Sequence, residues 1–239
     1  MFFLCFSGQD RLTIVQSILY HFQKFGIKIW YDNHEYILGD NKVDKYTLGI
    51  EESKYAVIVF SPAFPQSPGA LEELDVIKKR FDAGCIHVFP IFYNLLAKDV
   101  PQQFSWLCDL IYNEVNDATG TLLTCNQMVC KFYEDLLKNV AIKSLSDIMN
   151  HGSYLPSYCY KLVESYCETV PSNFNGRIAL LFALFTYFEA ALPMPEYLAK
   201  TTQYMFLNTK LDLTYNFKEI TLMEQAVCLA ANHYIRNSQ

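Results

Sequence analysis

Four short apolar runs, separated by stretches with helical spacing, constrain the fold of this chain more than any other feature. The runs are Phe2–Phe6, Ile27–Tyr31, Tyr55–Phe60 and Ile86–Phe92. Continuous apolar runs of this length read as strands covered on both faces, and strands alternating with amphipathic helices build βαβ units around a parallel sheet. In the first connecting stretch Leu12, Val15, Leu19 and Phe22 recur at i, i+3, i+7 and i+10, which predicts one apolar helix face. Gly26 then ends the helix and releases the chain into the second strand. Leu71, Leu74, Ile77 and Phe81 predict a further helix with Pro68 and Gly69 at its entrance, which puts Glu72 and Glu73 in its first turn. The polar segment from Asn33 to about Val43, with Gly39 inside it, reads as a loop. Its length exceeds that of ordinary connections, which favours a functional role.

From about Leu122 the strand runs stop and helical patterns take over. Met128, Phe132, Leu136 and Val140 form one stripe, and Leu155, Tyr158, Leu162, Tyr166 and Val170 form a second. Ile178–Phe188 is apolar all round, Pro195 opens a helix through Phe206, and Ile220, Met223, Val227, Ala230 and Tyr234 mark a last helix over 218–236. The first of these helices is expected to complete an α/β domain over 1–142. The others form a smaller all-α module over 143–239, whose apolar central helix suits binding to another protein or to itself. His151 and His233 are isolated, so the module offers no arrangement of nucleophile, base and acid.

Composition narrows the classes further. The formal charge is −6 and no basic cluster stands out beyond Lys78–Arg80 at a helix end, so no nucleic-acid partner is expected. The eight cysteines lack a Cys-x-x-Cys pair and mostly sit in apolar runs, which reads as reduced thiols and no metal site. Met1–Phe6 has no basic start and is too short for a signal peptide. Glu189, Pro193 and Pro195 cut the longest apolar run short of the roughly 20 residues that a membrane span needs. A cytoplasmic protein without a membrane span is the expectation.

Read in order, several pieces resemble the core of a TIR domain. They are Phe2-Phe-Leu-Cys-Phe-Ser-Gly8, Gly26-Ile-Lys-Ile-Trp-Tyr-Asp32, Leu38-Gly39, Ile50-Glu-Glu-Ser53, Ala56-Val-Ile-Val-Phe-Ser-Pro62, Ser67, Leu71-Glu-Glu-Leu74 and Val88-Phe-Pro-Ile-Phe-Tyr93. The resemblance runs from Met1 to about Val140 and implies a flavodoxin-like fold, a central parallel sheet flanked by helices. It also implies an NAD+ glycohydrolase or ADP-ribosyl cyclase-like enzyme of bacterial type, with NAD+ as substrate and no separate cofactor. Breaking the nicotinamide–ribose bond develops positive charge on the sugar, which a carboxylate stabilises. The family's catalytic glutamate closes a Ser-x-Trp-Cys-x-x-Glu-Leu pattern; Ser67 to Leu74 matches its Ser, Glu and Leu and singles out Glu73.

The same resemblance assigns substrate contacts to Phe6, Ser7 and Gly8 after the first strand, to Trp30 and Asp32 at the second, to Gly39 in the following loop and to Ser61 after the third strand. Two departures accompany these matches. Gly69 replaces the motif's Trp, and Ser7 and Gly8 stand where an arginine is usual, which leaves phosphate to neutral donors. The product is expected to be an ADP-ribose-derived signal acting on an effector protein, or depletion of NAD, in anti-phage immunity of the Thoeris kind. A homo-oligomer through the TIR and helical domains is expected. The alternative is a non-catalytic TIR scaffold that assembles signalling proteins. A receiver domain is the weaker third reading, because Phe6-Ser-Gly8 and Ser61-Pro62 stand where its acidic pair and phosphate acceptor belong.

Overall fold

The structure is a computed structural model describing residues 1–150, 155–191, 196–207 and 217–237. The chain divides into two compact units, Met1–Gln23 with Ile27–Cys125, and Lys24–Gly26 with Asn126–Gln239.

The first unit is built on five parallel strands, β1 (Phe2–Phe6), β2 (Ile29–Trp30), β3 (Tyr55–Phe60), β4 (His87–Tyr93) and β5 (Asn113–Val115), in the order β2-β1-β3-β4-β5. Every residue of β1 and β3 is buried, as the unbroken apolar runs require of strands covered on both faces. Successive side chains alternate between those faces. Phe3, Cys5, Ala56, Ile58 and Phe60 join a core with Tyr46 and Ile50 of α3 (Lys42–Glu51) and Ala70, Leu74 and Ile77 of α4 (Pro68–Asp82). Phe2 points the other way and meets Phe22 of α1 (Gln16–Phe25) edge-on at 4.9 Å. The ladder to β5 begins at Ile91, directly after Pro90, whose ring nitrogen has no hydrogen for a neighbouring strand. Asn113-Glu-Val115 is too short and polar to announce itself as a strand.

Three local expectations change. The buried face of the first helical stretch is Ile14, Val15, Ile18 and Phe22, while Leu12 is 83% exposed. A 3-10 turn over Gly8–Asp10 and a wider π turn over Arg11–Val15, with non-helical dihedrals at Thr13, reset the register before α1. The stretch read as one loop holds a single helical turn, α2 (Asp32–Glu35), and the start of α3. Asn41 caps α3 by accepting from the N–H groups of Val43 at 2.9 Å and Asp44 at 3.3 Å. Lastly, Pro68 is the first residue of α4, so Glu72 and Glu73 lie in its second turn rather than its first.

Helix α5 (Leu122–Leu137) leads into the second unit, followed by α6 (Leu145–Asn150), α7 (Ser157–Glu168), α8 (Phe174–Ala191), α9 (Glu196–Leu207) and α10 (Phe217–Asn237). Ile178, Leu181, Leu184, Phe185 and Phe188 of α8 are buried, and α8 packs on α7, α9 and α10. The two expected stripes keep Met128, Leu155 and Tyr166 buried and otherwise turn to neighbouring positions. Met128, Val129 and Tyr133, then Cys159, Val163 and Tyr166, are buried, whereas Leu136, Val140, Tyr158 and Val170 are exposed. His151, Pro193 and Pro195 lie outside the described residues. No helix among the described residues is long and apolar enough to cross a membrane.

Candidate active site

The carboxyl ends of β1 and β3 lie side by side where the strand order reverses, toward β2 on one side and β4 on the other. Open parallel sheets bind ligands in the crevice outside this switch point. The turns that follow β1, β2 and β3 supply Phe6 to Arg11, Tyr31 to Tyr36 and Ser61 to this edge.

Glu73 belongs to the buried stripe of α4, with Ala70, Leu74 and Ile77, and is 8% exposed. A carboxyl thus occupies a position whose spacing calls for an apolar side chain. Burial holds its pKa up to about 8; the Cys5 thiol and Lys42 pull it down, while Asp32 and Glu72 push it further up. The fully buried Cys5 thiol donates to the Ala70 carbonyl at 3.5 Å and stands close enough to Glu73 for each group to shift the other's pKa. Burial, and then Glu73, raise the thiol's own pKa. Tyr36 Oη is buried without a hydrogen-bond partner among the described residues. Burial, followed by the charges of Glu73 and Asp32, raises the Tyr36 pKa. Gly69, one turn before Glu73, has the ammonium of Lys42 over it, since a Cβ built there would stand 2.5 Å from Lys42 Nζ.

Arg11 is the residue that the sequence reading missed. Ser7 and Gly8 occupy the end of β1, but the 3-10 turn after them brings the Arg11 guanidinium back to the same edge. It grips Asp32 with two bonds, Nη1 to Oδ1 at 2.7 Å and Nη2 to Oδ2 at 2.6 Å, and donates to Tyr31 Oη at 2.8 Å. Its plane lies 5.1 Å from the Phe6 ring centroid and 5.3 Å from that of Tyr31. The bonds to Asp32 hold its pKa above the usual arginine range, so the cation is permanent. Nothing local in Gln9-Asp-Arg11 marks this role; only the fold brings it to Asp32.

The other expected contacts divide. Ser7 is buried and caps the turn after β1. A Cβ on Gly8 would meet open space. Ser61 donates to the buried Asp10 carboxylate at 2.6 Å, and burial pushes that carboxyl up while the serine pulls it down. Asp10 and Ser61 line a cleft of about 350 Å³ with Gln66, Tyr93 and Asn94. Trp30 packs into the core, stacked on Phe3 at 4.5 Å and edge-on to Tyr36 at 5.6 Å. Gly39 takes φ +97° in the loop before α3, with open space around it. The fold therefore gathers Phe6, Asp32 and Glu73 with Cys5, Arg11, Tyr36 and Lys42, and puts Ser61 in the Asp10 cleft.

The profile of the TIR domain family matches residues 1–143. This chain belongs to the TIR domain family. NAD(+) hydrolase TcpC of Escherichia coli O6:H1 is 27% identical to this TIR chain over 110 residues, 45% of this chain and 36% of the relative. The 2' cyclic ADP-D-ribose synthase AbTIR of Acinetobacter baumannii is 28% identical over 98 residues, 41% of this chain and 36% of the relative. The match thus spans about a third of the length of these curated relatives. Among solved structures, the TIR domain of the Toll-related receptor TRR-2 from Hydra magnipapillata is 19% identical, with a TM-score of 0.41. That alignment covers 58% of this chain and 95% of the solved one.

At the edge of this TIR sheet a carboxyl is held in apolar surroundings next to a lysine, a tyrosine and an arginine–aspartate pair. Once ionised, such a carboxylate can stabilise a cation developing beside it more strongly than it could in water.

Proposed function

We propose that this TIR domain cleaves the nicotinamide–ribose bond of NAD+, releasing nicotinamide with hydrolysis or cyclisation of the ADP-ribose part. The observation that carries the reading is Glu73, a carboxyl buried in the apolar stripe of α4 at the sheet's switch point. The names of the relatives TcpC and AbTIR, a hydrolase and a cyclic ADP-ribose synthase, support it. In this reaction Glu73 lies against the ribose and stabilises the oxocarbenium charge as the bond breaks. Nicotinamide departs neutral from a cationic ring, so no strong general acid is needed. Asp32 is clamped by Arg11 beside the site, and Phe6 offers an aromatic surface under the guanidinium.

Incubation of the chain with NAD+ and mass spectrometry of the products test the proposal. Nicotinamide release is expected to fall at least a hundredfold with Glu73→Ala and to change little with Glu72→Ala. Equal loss in both variants would remove the assigned role. Product mass separates ADP-ribose from a cyclic isomer. The proposal extends to a nucleotide signal that acts on an effector protein in anti-phage defence, made by a homo-oligomer.

A scaffold is the second reading, favoured by Ile37 and Leu38, which are 70% and 103% exposed in the loop before α3. It predicts assembly of copies that depends on those two side chains, with no nicotinamide release.

A further inference from the structure

Lys42 is the first residue of α3, and its ammonium reaches over Gly69, the second residue of α4. Both helices turn their positive poles toward it there, a position that disfavours a cation. Lys42 forms no ion pair among the described residues, and Lys45 takes Asp40 at 3.0 Å. The nearby acid whose ionised form offsets it is Glu73. Gly69 and Glu73 are four residues apart on α4 and share one face, with Cβ positions about 5–6 Å from each other. Glycine at 69 is what leaves the ammonium its room, since any side chain would collide with Nζ.

We infer that Lys42 is a positioning residue for Glu73: its ammonium over Gly69 favours the ionised form of the buried carboxyl that the reaction needs. This rests on the reaction proposed above. Each element packed around Glu73 contributes a group that bears on it. Cys5 from β1, Tyr36 from the loop and Tyr46 from α3 have their own pKa values raised, while Asp32 from α2 and Glu72 from α4 itself oppose ionisation of Glu73. Asp32 is already matched by Arg11. Lys42 brings positive charge to this set without being bound to another acid in the described structure, and it lowers the pKa of Glu73.

The experiment reads Glu73 directly, by carboxyl 13C NMR titration of the full unliganded chain, beside the pH profile of kcat/KM for nicotinamide release. In the wild type the carboxyl should titrate near 8. Lys42→Met should move that midpoint up, as loss of a nearby opposite charge does. Lys42→Arg should restore most of it. Gly69→Ala, which pushes the ammonium aside, should move the midpoint in the same direction and add nothing on top of Lys42→Met. The acidic limb of kcat/KM should follow the NMR midpoint in every variant. An unchanged midpoint in Lys42→Met, or equal shifts in Lys42→Met and Lys42→Arg, overturns the inference. Shifted midpoints without nicotinamide release from the wild type support the charge coupling and overturn the reaction assigned to it. Unchanged thermal melts near pH 4.5, where folded Glu73 holds its proton, keep a folding defect from mimicking either result.

Discussion

Glu73 links pH, stability and activity through one proton. Its folded pKa of about 8 lies above the ordinary 4.5, with burial as the first cause, so the folded chain holds the proton more tightly than the unfolded one. Stability is then fully present below about pH 4.5, falls as pH rises toward about 8, and levels off above it. Glu73→Gln keeps the shape without the charge. The variant is expected to match the wild type near pH 4.5 and to be more stable by a few kcal/mol near pH 8, at about 1.4 kcal/mol per pH unit. Melting temperatures across that range check this, and a wild type that gains on the variant as pH rises would contradict burial as the cause. Nicotinamide release should rise over the same interval, because the ionised form is the useful one. Gly49 makes a second prediction at this scale. A Cβ there would lie 2.5 Å from the Trp30 indole nitrogen, so Gly49→Ala forces a packed ring to move. Alanine normally stabilises a helix interior by about 1 kcal/mol over glycine. Here the sign should reverse, to a loss of about 1–3 kcal/mol in denaturant melts.

The turn after β1 and the helical turn α2 after β2 are tied together by the Arg11–Asp32 pair, whose side chains are 30% and 21% exposed. Asp32→Asn should loosen that tie, at about 1 kcal/mol for a partly exposed charge-assisted pair. Amide exchange over residues 32–41 should quicken, and nicotinamide release should drop with it. Unchanged exchange there would show that the pair does not restrain the loop. How far such features can be read beforehand depends on where their cause lies. Strands β1 and β3 are legible because both faces are covered and the apolar runs are unbroken. The register of α1 is not, since a π turn shifts it through dihedrals at Thr13 that no spacing rule contains. β5 is hidden because an edge strand of three residues needs no apolar run. Within the candidate site, Glu73 is marked by its local pattern of Ser67, Glu73 and Leu74. Arg11, Lys42 and Tyr36 carry no such mark, because they come from separate turns that only the assembled fold brings to one edge.

Taken whole, the chain buries most of its thiols. Cys85 and Cys167 are exposed, Cys108 is half-buried, and the other five thiols are buried and unpaired. A thiol reagent should therefore titrate two cysteines quickly in the native protein, a third slowly, and all eight after denaturation. Fast reaction of four or more would mean that a packed core opens far more readily than its burial implies. Polar bonds add to that packing: Asn126 donates to Glu219 at 2.7 Å in the interior, and Tyr166 donates to the half-buried Glu224 at 2.9 Å. The first unit ends its sheet differently from its middle. β2 has two residues and β5 three, against six in the central β3. Such stubs offer an incoming strand almost no unpaired backbone to zip onto, which is how natural sheets avoid fibrous growth. Copies of this molecule that gather must therefore do so through side chains on helices and loops, in contacts that can be undone, rather than by extending one another's sheet.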